Sequence, residues 1–301
     1  MRGALPVGRV SVWAGSFVLL GFLALALCAV PHAAHSPWTP FINSGTTIRS
    51  GLAVALSTAL WNYIGWDNAS TVQGEVIDAS RSYPRALLVA LPMVTLGYVV
   101  PFLPALAATD GTAWRDGSWP AIAAHATGAA GPVLAAWIAF GGLVSAVALF
   151  NALLLSYSRI PLAMAVDGLL PAPLARTDAR GTPTRAVLVS AVFYSVFVLL
   201  PFGKLVVADV VLYSIALLLE FGALIVLRRR EPALRGVFRI PTGIAGVTAL
   251  AALPAIVLGI VIWLSFHDGD MALPSLVGAG IGLGLGPVLY LALRRGSAGR
   301  E

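Results

Sequence analysis

Asp67 and Glu220 are carboxylates set against apolar runs, and such groups do chemistry when desolvation forces them to choose between a proton and a cationic partner. Glu220 is the only charged residue between positions 210 and 227. A carboxyl there, its pKa raised by desolvation, can carry a proton; the competing reading is a structural pair with a nearby arginine or the inner interface. Asp67 closes the stretch Trp61-Asn62-Tyr63-Ile64-Gly65-Trp66-Asp67. Gly65 loosens the backbone there, while Asn62 and Asp67 put polar groups close to it. Asp67, Ser70, Thr71 and Gly74 follow at i, i+3, i+4 and i+7, one small and polar face if the segment is α-helical. Glu75 lies one turn past Thr71 and either lines an inner path or pairs with Arg81 or Arg85. The plainer alternative for the whole stretch is an interfacial Trp/Tyr belt in which Asp67 merely ends a short span.

The elements that must carry these residues are membrane spans. The chain has 301 residues, of which 58% are hydrophobic and only 11% charged, and its mean hydropathy is +0.89. A soluble domain carries about a quarter charged residues. Runs with few or no charged residues and long enough to cross a bilayer, roughly 17–25 residues, predict eight spans. They cover 10–31, 50–66 (broken, continuing to about 77), 86–109, 133–157, 186–203, 208–227, 243–266 and 272–293. With the N-terminus inside, only Arg49, Arg115 and Lys204 of the 19 basic residues fall in outer loops, so both termini are expected on the cytoplasmic side of the cell (plasma) membrane.

A helix broken at membrane depth must have its freed backbone groups satisfied within the protein or by a water-filled cavity. Discontinuous helices of this kind mark the substrate and ion sites of secondary transporters. Other chemistries find little support. The net charge of +6 belongs to residues dispersed between apolar runs, not to a nucleic-acid-binding domain. His32, His35, His125 and His267 lack metal-ligand spacing, so no metal and no cofactor is expected. Gly278, Gly282 and Gly286 have the spacing of close helix packing, not of a nucleotide site. No hydrolase, P-loop or zinc-protease motif is present, so an enzyme is not expected.

The motif WNYIGWDNASTVQGEV, followed by SYPRAL, resembles the sixth-helix motif of the amino acid–polyamine–organocation superfamily, closest to the polyamine:proton symporters. Five further matches fall in the same order. Val7-Gly8-Arg9-Val10 resembles the start of that family's fifth helix. Ser158-Arg159, Met164-Ala165 and Asp167-Gly168-Leu169-Leu170-Pro171 resemble the cytoplasmic segment after the eighth. Gly181-Thr182-Pro183 resembles the entry to the ninth, and Leu218-Leu219-Glu220-Phe221 the tenth. Arg230-Glu231-Pro232 with Phe238-Arg239-Ile240-Pro241 resembles the loop after it.

The resemblance implies an all-α membrane permease with a partial leucine-transporter (inverted-repeat) fold. Its eight spans would be family helices five to twelve, without the first four. It implies alternating-access transport of a small amine-containing solute, a polyamine or amino acid, coupled to protons through Glu220 or Asp67. Trp61 would be an aromatic gate able to meet an amine by cation–π attraction. Asn62 and Gly65 would offer carbonyls and an amide, and Trp66, Asp67 and Ser70 would complete the lining, with Asp67 holding an ammonium. The family site lies between the broken first and sixth helices, so this chain would carry one wall of it. The expectation is therefore a truncated or partial transporter, or a half-transporter needing a partner chain. The alternative is a non-transporting scaffold or decayed fragment.

Overall fold

The computed structural model describes residues 4–39, 47–115, 117–179, 181–197, 202–231 and 242–268, with isolated positions at 280, 284, 286–288 and 290. The described residues contain helices and no strand, with α-helices in the order α1 (Ala4–Ala29), α2 (Ile48–Tyr63), α3 (Ala79–Ala108), α4 (Trp119–Ala126), α5 (Gly131–Val166), α6 (Thr184–Phe197), α7 (Phe202–Arg230) and α8 (Ile244–Asp268). Three helical stretches are long and apolar enough to cross a bilayer: Pro6–His32, Ala79–Ala108 and Gly128–Val166, with mean hydropathies of 2.2, 2.1 and 2.3. A shorter apolar stretch covers Ile244–Ile260. The chain is thus an all-helical membrane protein. α1 and α8 overlap the stretches 10–31 and 243–266. The span expected at 272–293 lies almost wholly outside the described residues, as do positions 198–201 of the one expected at 186–203.

Two boundaries differ from the charge-based expectation, and the reason is common to them. Cutting a span at its first charged residue truncates helices whose ends carry cations. Thus α3 begins at Ala79, not at 86, and holds Arg81 and Arg85 in its first two turns. Likewise α5 runs to Val166, past the expected end at 157, so Ser158 and Arg159 are helical rather than part of an inner loop. Ser158 is fully buried and Arg159 nearly so. The guanidinium donates to the Ser158 hydroxyl at 3.1 Å. Asp167-Gly168 does stop the helix. Gly168 adopts φ +76° and the Leu169 amide reaches back to the Met164 carbonyl at 2.8 Å, a left-handed C-cap. The eight-residue α4 was not anticipated, because it is too short to register as a span.

The chain forms two compact units. The first comprises 1–45, 68–162 and 175–188; the second comprises 46–67, 163–174 and 189–301. In the first unit α1 packs along α3, and α4 packs against both. Its core gathers Leu25, Ala105, Ile122, Ala123, Leu134 and Ile138, edged by Phe22, Trp114, Trp119 and Trp137. The Trp137 indole donates to the Phe17 carbonyl at 3.3 Å. Gly21 permits that approach, since a Cβ there would stand 3.2 Å from the indole nitrogen. After α1 the chain is tied to the end of α3: the Ala34 amide donates to the Ala107 carbonyl at 2.9 Å, and the His35 ring meets the Thr109 carbonyl at 3.0 Å. Four prolines, Pro84, Pro92, Pro101 and Pro104, lie inside α3.

In the second unit α7 packs against α8, and α2 packs against both. Val210, Val247, Ala251 and Leu258 are buried there. The Arg49 guanidinium lies 5.5 Å from the centre of the Trp263 ring, a cation–π contact. Arg228 closes the far end by donating to the Thr242 carbonyl at 2.8 Å.

Candidate functional site

The chain breaks where the sequence indicated. α2 ends at Tyr63, the Ile64 amide turns back to the Trp61 carbonyl at 3.2 Å, and Gly65 takes φ +96°, which an L side chain rarely adopts. Beyond the break, Asn68–Glu75 winds as a 3-10 helix. The α-helical face expected for Asp67, Ser70, Thr71 and Gly74 therefore does not form, because three residues per turn align i with i+3 alone. Asp78, at φ 52°, then turns the chain into α3.

The central contact in the second unit is made by Asp67. Its Oδ1 accepts a hydrogen bond from the Tyr213 hydroxyl of α7 at 2.7 Å, and the Gly65 amide faces the same phenol oxygen. Glu220 follows Tyr213 by seven residues, two turns on the same face of α7 and within electrostatic reach of the phenol. Its side chain is exposed.

A cavity of about 380 Å³ opens beside Tyr213, walled by α2, the turn after it, α7 and α8. Trp66 and Tyr213 form part of the wall, and most of the rest is aliphatic. Of the other sequence-derived candidates, Trp61 is about a third exposed and lies outside this wall, as does the half-buried Asn62. Ser70 is exposed. Glu75 ends the 3-10 segment, and its side chain lies outside the described residues.

In the first unit the 3-10 segment is fastened to α5. The Ser156 and Thr71 hydroxyls lie 2.8 Å apart, and both donate to the Asn68 carbonyl, at 3.0 and 2.8 Å. These bonds satisfy a carbonyl that the break removes from any α-helical ladder. At the far end of α3 a second cavity, of about 360 Å³, is lined by Asp110, Trp114 and His125 among others. The hydroxyl and then the amide of Thr112 hold the Asp110 carboxyl below the usual range, with help from the nearby His35.

Sequence reasoning missed Tyr213 and Ser156. Both sit in uncharged runs that read as lipid-compatible filler. The one available signal for Tyr213 was its seven-residue spacing from Glu220, which puts the two on one helical face.

Apolar helices of bilayer length and a polar break at a carboxylate define this chain as a helical membrane protein built around a discontinuous element. Its family follows from comparison: residues 2–274 match the amino acid permease family, and the chain belongs to it. It is 32% identical to the polyamine transporter RMV1 of Arabidopsis thaliana, over 98% of this chain and 59% of that protein. Similarity to the polyamine transporter PUT1 of Oryza sativa subsp. japonica is 32% over 96% of this chain and 53% of the relative. A methylthioribose transporter of Bacillus subtilis is 24% identical over 91% of this chain and 56% of its own length. The chain spans a little over half the length of these relatives, all of them transporters rather than enzymes.

Proposed function

We propose that this chain forms part of a secondary active transporter that moves a small amine-containing solute, a polyamine or amino acid, by alternating access coupled to protons. The observation that carries the reading is the Asp67–Tyr213 bond at the break after α2: a carboxylate at that depth, preorganised by a phenol, is a receptor for an ammonium group or a proton. The matches to two polyamine transporters support the solute class.

In this reading the eight spans correspond to family helices five to twelve of an inverted-repeat fold. The opposite wall of the site is supplied by four further helices, in the same polypeptide or in a partner chain. The protein sits in the plasma membrane with both ends of these spans cytoplasmic. Asp67 engages the solute together with Trp61, Asn62, Gly65, Trp66 and Ser70, and Glu220 carries the coupled proton. Glu75 lines the inner path.

The test is uptake of radiolabelled putrescine and of mixed amino acids into proteoliposomes under an imposed proton gradient. The chain is assayed alone and together with a four-helix N-terminal segment from a polyamine-transporter relative. Gradient-dependent accumulation in either preparation supports the proposal. No accumulation in both, with the protein correctly inserted, overturns it in favour of a non-transporting scaffold.

A further inference from the structure

The cavity at the end of α3 is built within the first unit and takes no part in the reading of Asp67. Its volume of about 360 Å³ is within the range of small-molecule sites. Thr109, Asp110, Trp114, Ser118 and His125 supply the polar part of its lining, and the rest is Ile122 and alanine. Several of these polar groups are already committed. The Trp114 indole donates to the Thr109 hydroxyl at 3.0 Å, and that hydroxyl donates in turn to the Ala105 carbonyl at 2.8 Å. The Ser118 hydroxyl accepts from the Arg115 amide at 3.0 Å and donates to the Arg115 carbonyl.

The side-chain groups left over are all acceptors. Both bonds from Thr112 fall on Oδ1 of Asp110, so among the described residues Oδ2 receives no hydrogen bond. The Asp110 carboxyl is exposed to water and held below the usual range, which makes it an anion at neutral pH. Nδ1 of His125 lies 2.7 Å from the Ala121 carbonyl. A carbonyl only accepts, so Nδ1 carries the proton, and Nε2 of the neutral ring is an acceptor that no described residue engages. The neighbouring cations are turned elsewhere. Nη1 of Arg115 donates to the Thr112 and Trp114 carbonyls at 3.1 and 2.8 Å, and the His35 ring meets the Thr109 carbonyl. Neither residue lines the cavity.

An anionic and a neutral acceptor, with no uncommitted side-chain donor among the lining residues, suit a ligand that only donates. We propose that this cavity is a binding site for a primary ammonium, its N–H groups meeting Asp110 and His125 and its short alkyl part lying against Ile122 and Trp114. The site is separate from Asp67 and does not rest on the transport reading. A metal ion is the poorer occupant, because no three His, Cys, Asp or Glu side chains converge among the described residues and protein metal sites ordinarily use three or four.

The probes are butylamine, butanol and butyrate, which share an alkyl chain and differ in the head group. The full chain, labelled with 15N-histidine, is held at neutral pH in nanodiscs of zwitterionic lipid, so that the bilayer does not itself concentrate amines. It has four histidines, and His125→Asn assigns the His125 signals by their loss. Butylamine is expected to shift the His125 Nε2 resonance saturably, with an affinity at least about fivefold above that of butanol, while butyrate leaves it in place. Asp110→Asn keeps an oxygen for the Thr112 bonds and removes the charge. It should weaken butylamine about fivefold without altering the response to butanol.

Asp110→Asn retains all four histidines, so it reads the site even where His125→Asn fails to fold. No saturable shift with butylamine overturns the proposal, as does butanol or butyrate binding as tightly as the amine. A shift produced by zinc and not by butylamine also overturns it, in favour of a two-residue metal site. If putrescine is accumulated in proteoliposomes while the His125 signal stays unmoved by butylamine, this inference fails and the transport reading stands. If the shift occurs as described but nothing is accumulated, the transport reading fails alone.

Discussion

At the scale of single residues, the proposed site turns on Asp67 and Tyr213, whose hydroxyl donates to the Asp67 carboxyl at 2.7 Å. Asp67→Asn should lower uptake of a cationic solute by about tenfold or more, the loss of one hydrogen bond to a charged group, with membrane insertion unchanged; undiminished uptake would remove Asp67 from the site. Glu220→Gln should abolish accumulation against a proton gradient while preserving exchange of solute for solute, and normal accumulation by the variant would end its role as proton carrier. Asp67 and Glu220 were legible in the sequence because a charge in an apolar run announces itself. Tyr213 and Ser156 were not, since a hydroxyl in such a run gains meaning only from what packs opposite it. The face shared by Asp67, Thr71 and Gly74 was misread for a related reason, as their i+4 and i+7 spacing depended on a helical period of 3.6 where the backbone winds at 3.

Among elements, the least expected is α4, and its junction with α5 offers a test of packing. Gly131 opens α5 with its Cα against the Ala124 backbone carbonyl of α4, so a Cβ there would collide with main chain that cannot yield. Gly142, eleven residues on in the same helix, has nothing within 4 Å of the corresponding position. Gly131→Ala should therefore destabilise the protein by about 1–3 kcal/mol. Gly142→Ala should be neutral or stabilising by up to about 1 kcal/mol, through helix propensity. Thermal unfolding in detergent compares the two, and equal shifts would contradict the close approach of α4 to α5. Helix positions followed from hydropathy because a bilayer demands long apolar runs. The ends of α3 and α5 did not, because cations that find partners, such as Arg159 with Ser158, extend a helix beyond its apolar stretch.

For the whole molecule, orientation is the property most open to direct measurement. In a Cys28→Ser background, a cysteine at Asp110 should react with an impermeant maleimide added outside intact cells, and one at Arg176 should react only after permeabilisation; the reverse pattern would invert the topology. What the sequence could not convey is that each compact unit is assembled from separated stretches of chain, with one of the crossings from unit to unit falling at the Asp67–Asn68 peptide bond. That division has a consequence for biosynthesis. Asp67 leaves the ribosome 146 residues before Tyr213, which at about 5–20 residues per second is an interval of roughly 7–30 s. Throughout it, a carboxylate that would cost about 2.5–3.5 kcal/mol at the membrane centre has to manage without the Tyr213 phenol that it later meets. On the proposed reading, α2 is therefore expected to settle in the bilayer only once α7 has arrived.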